Sequence, residues 1–268
     1  MDTIITIFLL NTAVIILFLT IIFILALIKK DNSIMDIAYG PTFTLAGWLT
    51  AFLTDSFNTL TVLLLICITL WSLRLSIRIG KKNWGKPEDV RYANWRSEWS
   101  KKSASYFILR SYFQIYVLQG LIISLVSMPI VLAISTQLNS IHPVTYIGVL
   151  LFIIGITLET VADYQLDTFI KKKKAGLTDE PLMKTGLFKY SRRPNYFGES
   201  TIWFGLACMV LPYTYGYLAL ISPILITYIV TKITGPMLEK IFLEQYPEEY
   251  TKYMKTTSYF IPLPPKKL

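Results

Sequence analysis

Residues 4–28 read IITIFLLNTAVIILFLTIIFILALI, an unbroken run without a charge, and Lys29 and Lys30 follow at once. At about 1.5 Å per residue such a run exceeds the ~30 Å hydrocarbon thickness of a bilayer. No small-residue cleavage site lies behind it, so it is expected to remain as a membrane helix and not to be removed as a signal peptide. Apolar runs of similar character recur at about 35–54, 58–79, 107–135, 143–163, 196–212 and 214–233. Hydrophobic residues make up 53% of the 268-residue chain and charged ones only 16%, against about 25% charged in soluble domains. The expected fold is all-α: a polytopic membrane protein of seven transmembrane helices, forming a single domain over residues 1–268.

The basic residues orient these spans. All 26 Lys and Arg fall at or beside the turns after the first, third, fifth and seventh helices. They are Lys29 and Lys30, the group from Arg74 to Arg110, the group from Lys171 to Arg193, and the group from Lys232 to Lys267. The N-terminus and the turns near Asp55, His142 and Pro212 have none. Cytoplasmic loops collect Lys and Arg, so the N-terminus is expected outside and the C-terminus in the cytoplasm. The net charge of +9 is then a product of topology, and nucleic acid is not an expected partner. The inner loops at about 80–106 and 164–195 are long for a bundle. The first carries Trp84, Tyr92, Trp95 and Trp99, residues suited to the membrane interface. The tail from about 236, with Tyr246, Tyr250, Tyr253, Tyr259 and Phe260, reads as a short interfacial helix and an extended end.

Several chemistries are excluded. Cys67 and Cys208 lie in different apolar runs and show no metal-ligand spacing. With His142 the only histidine, no His-box desaturase, His-rich zinc site or His-Glu-x-x-His protease can be built, and no metal site is expected. No Gly-x-Gly-x-x-Gly turn is present, so a dinucleotide would have to be held by side chains.

The most informative polar stretch is Gly186-Leu-Phe-Lys-Tyr-Ser-Arg-Arg-Pro-Asn-Tyr-Phe-Gly-Glu199, a cationic approach to an apolar run. Pro194 biases Arg193 away from the α region, which sets the Arg192–Arg193 pair on a turn. Asn195 is expected to cap the helix that follows, with Glu199 one turn inside on the same face. A carboxylate that deep costs roughly 2–3 kcal/mol or more unless it faces protein or water. Asp36, Arg74, Arg78, Glu159, Asp163, Asn195, Glu199 and Glu239 all sit at inner ends of spans, which suggests one polar pocket beneath the inner surface. Cross-helix pairing alone is the plainer alternative.

The chain resembles the bacterial branch of the steroid 5α-reductase family, membrane proteins related to sterol C14-reductases, and more distantly the isoprenylcysteine carboxyl methyltransferases. The resemblance rests on Asp36, Leu70-Trp-Ser-Leu-Arg-Leu-Ser76, Glu88-Asp-Val-Arg-Tyr92, Leu118-Gln119, Glu159 and Asp163-Tyr-Gln165. It continues through Gly186-Leu187, Arg193-Pro-Asn-Tyr-Phe-Gly-Glu199, Trp203, Gly235-Pro-Met-Leu-Glu239 and Phe260-Ile-Pro262. It implies a seven-helix bundle open to the cytosol that binds NADPH and reduces a carbon–carbon double bond conjugated to a carbonyl. The implied substrate is a hydrophobic small molecule or lipid, sterol-like or isoprenoid, reached from the surrounding membrane lipids. The location is the bacterial cytoplasmic membrane, and no obligate protein partner is evident.

Carried over residue by residue, Asp163, Asn195 and Glu199 match family cofactor contacts. Arg74, Arg78, Arg91, Arg192 and Arg193 are the basic cofactor candidates, with Tyr196 and Glu239 beside them. Trp71 and Trp203 are the substrate-pocket aromatics. Trp71 stands where steroid 5α-reductases place a carbonyl-donating Tyr, so Asp36 or Tyr39 is the expected catalytic donor. Arg193 stands where many relatives have His, which keeps a phosphate contact and loses an imidazole. Two other readings remain: an S-adenosylmethionine-dependent methyltransferase, whose relatives share the Arg-x-Pro-x-Tyr-x-Gly-Glu end, and a non-catalytic lipid-binding protein. The topology is checked by reporter fusions after Asp55, Lys101, His142 and Lys174, which should report outside, inside, outside and inside; two neighbours on one side would refute it.

Overall fold

The computed structural model describes residues 1–83, 85–136 and 141–266. Trp84 and Lys267, both named above, lie outside the described residues. Within them there is no strand, only an isolated parallel bridge between Ser191 and Ser258. The helices are α1 (Asp2–Lys29), α2 (Ile34–Leu53), α3 (Thr59–Asn83), α4 (Val90–Ser100) and α5 (Ala104–Val126), then α6 (Met128–Ser135), α7 (Pro143–Lys174), α8 (Pro194–Val210), α9 (Gly216–Gln245) and α10 (Pro247–Thr256). Wider π turns interrupt α5 at Tyr112–Val117 and α9 at Ile229–Thr234.

Five of these, α1, α3, α5, α7 and α9, are long and apolar enough to cross a membrane. Large apolar side chains stay exposed on them, such as Leu9, Leu17 and Ile28 on α1 and Ile147, Leu150 and Ile153 on α7. In a bilayer those faces meet lipid. The remaining two expected spans are helical where anticipated but less suited to crossing. Helix α2 carries Asp36, Gly40 and Pro41, and α8 is only 17 residues long.

Four local expectations are corrected. The run at 107–135 breaks at Ser127, because Pro129 lacks an N–H and its ring would clash with the preceding turn of a continued helix. Helix α7 continues through Lys174, so much of the expected loop at 164–195 is helical. Helix α9 extends to Gln245, well past the expected end near 233. Helix α8 starts at Pro194, whose fixed φ suits the first helical position, so Asn195 is its second residue and not its cap.

The chain divides into two compact units: Met1–His142 with Val210–Ala219, and Pro143–Met209 with Leu220–Leu268. In the first, α2 packs against α1 and α3, and α1 against α5 and α6. Leu19, Phe43, Leu64, Ile68, Trp71, Tyr116 and Ile123 form its core. Two polar side chains inside it find partners: Asn11 Nδ2 donates to Thr50 Oγ1 at 3.1 Å, and Thr61 Oγ1 donates to the Ala133 carbonyl at 2.9 Å.

In the second unit α7 and α8 meet backbone to backbone across four glycines. A Cβ on Gly148 would sit 2.6 Å from the Gly205 carbonyl, and one on Gly155 would sit 2.6 Å from the Ile202 nitrogen. From the other side, a Cβ on Gly198 would lie 2.7 Å from the Glu159 nitrogen, and one on Gly205 would lie 2.6 Å from the Phe152 nitrogen. Where lipid offers no hydrophobic drive between helices, such close approach is how they hold together. The contact sets α7's acidic turn, Glu159 to Asp163, beside the start of α8. Gly198→Ala should therefore overpack the seam by about 1–3 kcal/mol and lower the melting temperature by several degrees. Gly80→Ala on α3, where nothing lies within 4 Å of the new Cβ, should lower it not at all.

Candidate functional site

The turn leading into α8 is built from its ends inward. Gly186 has φ +60°, and Gln165 Oε1 accepts the Leu187 N–H at 2.9 Å. A side chain at Gly186 would face both a strained backbone and the Gln165 amide 2.5 Å away. A short 3₁₀ turn, Gly186–Lys189, follows, and the Tyr253 hydroxyl donates to the Phe188 carbonyl at 2.5 Å. Ser191 is fully buried, and the two arginines come next.

Arg192 and Arg193 are neighbours in opposite conditions. Arg192 is buried and donates through Nε to Glu239 Oε1 at 2.8 Å, with Nη2 2.7 Å from the same oxygen. Its Nη1 donates to the Thr257 carbonyl at 2.8 Å and the Met254 carbonyl at 3.2 Å, and the Tyr250 hydroxyl donates to Glu239 Oε1 at 3.2 Å. Two expected cofactor contacts, Arg192 and Glu239, are thus engaged with each other and with the C-terminal segment.

The Arg193 guanidinium instead lies over the Phe242 ring, 5.4 Å from its centroid. Its Nε and Nη2 are shielded from solvent and donate to no acceptor among the described residues. A guanidinium cannot discard its charge, and buried donors without acceptors are costly. Phe242 stacks on Tyr250 at 5.4 Å, and Tyr253 lies edge-on to Tyr250. Burial raises the pKa of both tyrosines, and the positive charge of Arg193 works against that rise.

Across the glycine seam lies the acidic side. Glu159 and Asp163 are buried on α7, and Asn195 Nδ2 donates to Asp163 Oδ1 at 3.4 Å. Glu199 Oε1 accepts from Nε1 of the fully buried Trp203 at 2.8 Å. Tyr196 is half-buried beside them. The second unit therefore brings together Asp163 with Asn195, Glu199 with Trp203, and Arg192 with Glu239, while Arg193 stands one residue before the helix.

The other expected residues belong to the first unit. Asp36 accepts from Arg91 Nη2 at 3.0 Å and from the Tyr92 hydroxyl at 2.7 Å, so both its oxygens are engaged. Asp89 caps α4 through the Arg91 N–H at 3.0 Å and also holds Arg91 Nε at 2.9 Å. Glu88 takes a two-pronged contact from Arg96, 2.8 and 2.9 Å, and accepts the Asn32 N–H at 2.6 Å. Burial, and then the Asp36 carboxylate, raise the Tyr92 pKa, which keeps its hydroxyl a donor. This network latches α4 to the α1–α2 turn. Tyr39 lies edge-on to Phe43 and to the buried Trp71, at 5.3 and 6.2 Å. Arg74 and Arg78 are half-buried near the end of α3. Glu88 and Tyr92 belong to a stretch already prominent in the sequence, where only Arg91 carried an expected role. Ser191 carried none, although it adjoins the arginine pair.

The fold is that of a helical, multi-pass membrane protein. The family profile described as "Protein of unknown function (DUF1295)" matches residues 22–257, and the chain belongs to that family, which is related to the steroid 5α-reductases. No curated protein and no solved structure gave a significant match.

The Arg192–Glu239 pair provides a direct energetic test. Glu239→Ala should destabilise the protein by about 3–5 kcal/mol, because it leaves a buried guanidinium uncompensated. Arg192→Met combined with Glu239→Leu should recover much of that loss in thermal or denaturant melts.

Proposed function

We propose that the protein is an NADPH-dependent reductase of a carbon–carbon double bond conjugated to a carbonyl, acting on a lipid-like substrate such as a sterol or isoprenoid. In this reading it sits in a bacterial cytoplasmic membrane as seven helices, N-terminus outside, with its site toward the cytoplasm. The observation that carries the reading is Arg193: two buried donors on a permanent cation with no acceptor among the described residues, one residue before α8. A phosphate supplies what that geometry lacks, since Arg binds phosphate oxygens through paired N–H donors. The donors of Arg193 would suit a phosphate of the cofactor, and the rest of the reading is supported by the resemblance seen in the sequence.

Bound NADPH would supply the hydride. Arg193 would hold a phosphate, and the Asp163–Asn195 pair offers an acceptor and a donor side by side, suited to a carboxamide. Glu199, which accepts from Trp203, adds a second acceptor, on α8 one turn beyond Asn195. Hydride delivery to the β carbon builds charge on the carbonyl oxygen, so a donor aimed there lowers the barrier. Asp36 and Tyr39 are the donor candidates, and Asp36 has both oxygens engaged by Arg91 and Tyr92.

Thermal melts of the detergent-solubilised protein test this, since a ligand selective for the folded state raises its melting temperature. NADPH should stabilise more than NADH, and Arg193→Ala should weaken NADPH by about 10–100-fold, equivalent to roughly 1.5–3 kcal/mol. Stabilisation by S-adenosylmethionine instead would favour the methyltransferase reading. No response to any of the three would favour a lipid-binding protein.

A further inference from the structure

The segment after α10 lies against the turn that carries the arginines. The Arg192 N–H donates to the Ser258 carbonyl at 2.8 Å, the Leu263 N–H to the Tyr190 carbonyl at 3.0 Å, and the Lys266 N–H to the Thr256 carbonyl at 2.8 Å. Phe260 packs edge-on against Phe197 of α8 at 5.5 Å. The Tyr259 hydroxyl donates to the Thr231 carbonyl at 2.9 Å, inside the π turn of α9, and rests where a Cβ on Gly235 would lie. Residues 257–266 thus form a strap held at both ends and along its length.

One side chain joins this strap to Arg193. The Ser191 hydroxyl donates to the Phe260 carbonyl at 2.8 Å and accepts the Arg193 backbone N–H at 3.0 Å. It is fully buried, so neither bond has water as a ready substitute. The strap carbonyl, the serine and the arginine backbone form a single chain of hydrogen bonds. Displacing the strap frees the Ser191 hydroxyl to turn, and the backbone that aims Arg193 loses its acceptor. An anion that fixes the Arg193 guanidinium should, in return, favour the docked strap.

We infer that Ser191 is a positioning residue that couples docking of the C-terminal strap to anion binding at Arg193, so that the strap closes when the site is filled. The inference rests on the anion-binding reading of Arg193 given above. Coupling is reciprocal: the factor by which ligand stabilises the docked strap equals the factor by which strap docking tightens the ligand.

Hydrogen exchange of the full chain in detergent, read by mass spectrometry on peptides covering residues 257–266, tests it. Saturating NADPH should slow exchange there by about 5–10-fold, within the usual range of coupled sites. Ser191→Ala should lose that slowing and weaken NADPH by the same factor, whereas Ser191→Thr, which keeps the hydroxyl, should retain both. A merely structural serine would alter basal exchange and melting without changing the ligand-dependent ratio. Tyr259→Phe, which frees the strap at another point, gives a second measurement if Ser191→Ala does not fold; it should speed exchange and weaken the ligand together. Inorganic pyrophosphate serves as a second probe. Protection by pyrophosphate without NADPH binding would keep the coupling and remove the reductase reading. Absence of protection by either probe, or full ligand-induced protection in Ser191→Ala, would overturn the coupling.

Discussion

The second unit depends on the backbone contact between α7 and α8. Gly148, Gly155, Gly198 and Gly205 remove the side chains that would otherwise hold two helices at an ordinary distance. With the helices this close, the short polar groups Asp163 and Asn195 can reach each other. The contact also fixes the relative depth of the acidic turn and the Arg193–Pro194 entry, so its register is set by backbone sterics and not by flexible side chains.

The same region shows how two adjacent cations are handled differently. Arg192 is matched by a carboxylate, two carbonyls and the Tyr259 ring, which its planar fork of donors can satisfy together. Removing a buried charge with that many partners exposes the cost of its partners' burial. Arg193 has an aromatic face beneath it and no acceptor among the described residues for two of its donors. Adjacent and chemically identical, the two side chains meet different surroundings.

In the first unit, the network of Asp36, Arg91, Tyr92, Glu88 and Arg96 does for the segment between α3 and α5 what Arg192 does for the tail. It converts a loop rich in charge and aromatics into a helix fastened to the α1–α2 turn. Asp36 and Arg91, both chemical candidates in the sequence, are also one another's partners. This is a common outcome for ionisable groups near a bilayer, where pairing is the cheapest way to keep a charge.

The all-helical character and the stretches able to meet lipid were legible in the sequence, because a bilayer demands long apolar runs and internally satisfied backbones. Asp163, Asn195, Glu199 and the arginine turn stood out in the sequence too, as polar residues at the ends of such runs; the structure pairs Asp163 with Asn195 and Glu199 with Trp203. Breaks within helices were partly legible: Pro129 marks one, yet α7 and α9 run further than their apolar stretches, because helical hydrogen bonding does not stop where hydrophobicity does. What only the tertiary structure decided is pairing. Whether Arg192 or Arg193 meets Glu239, whether Asp36 is held by Tyr92, and whether Ser191 touches the strap depend on contacts between residues tens of positions apart. Local pattern carries no record of those distances; close packing of the helices sets them.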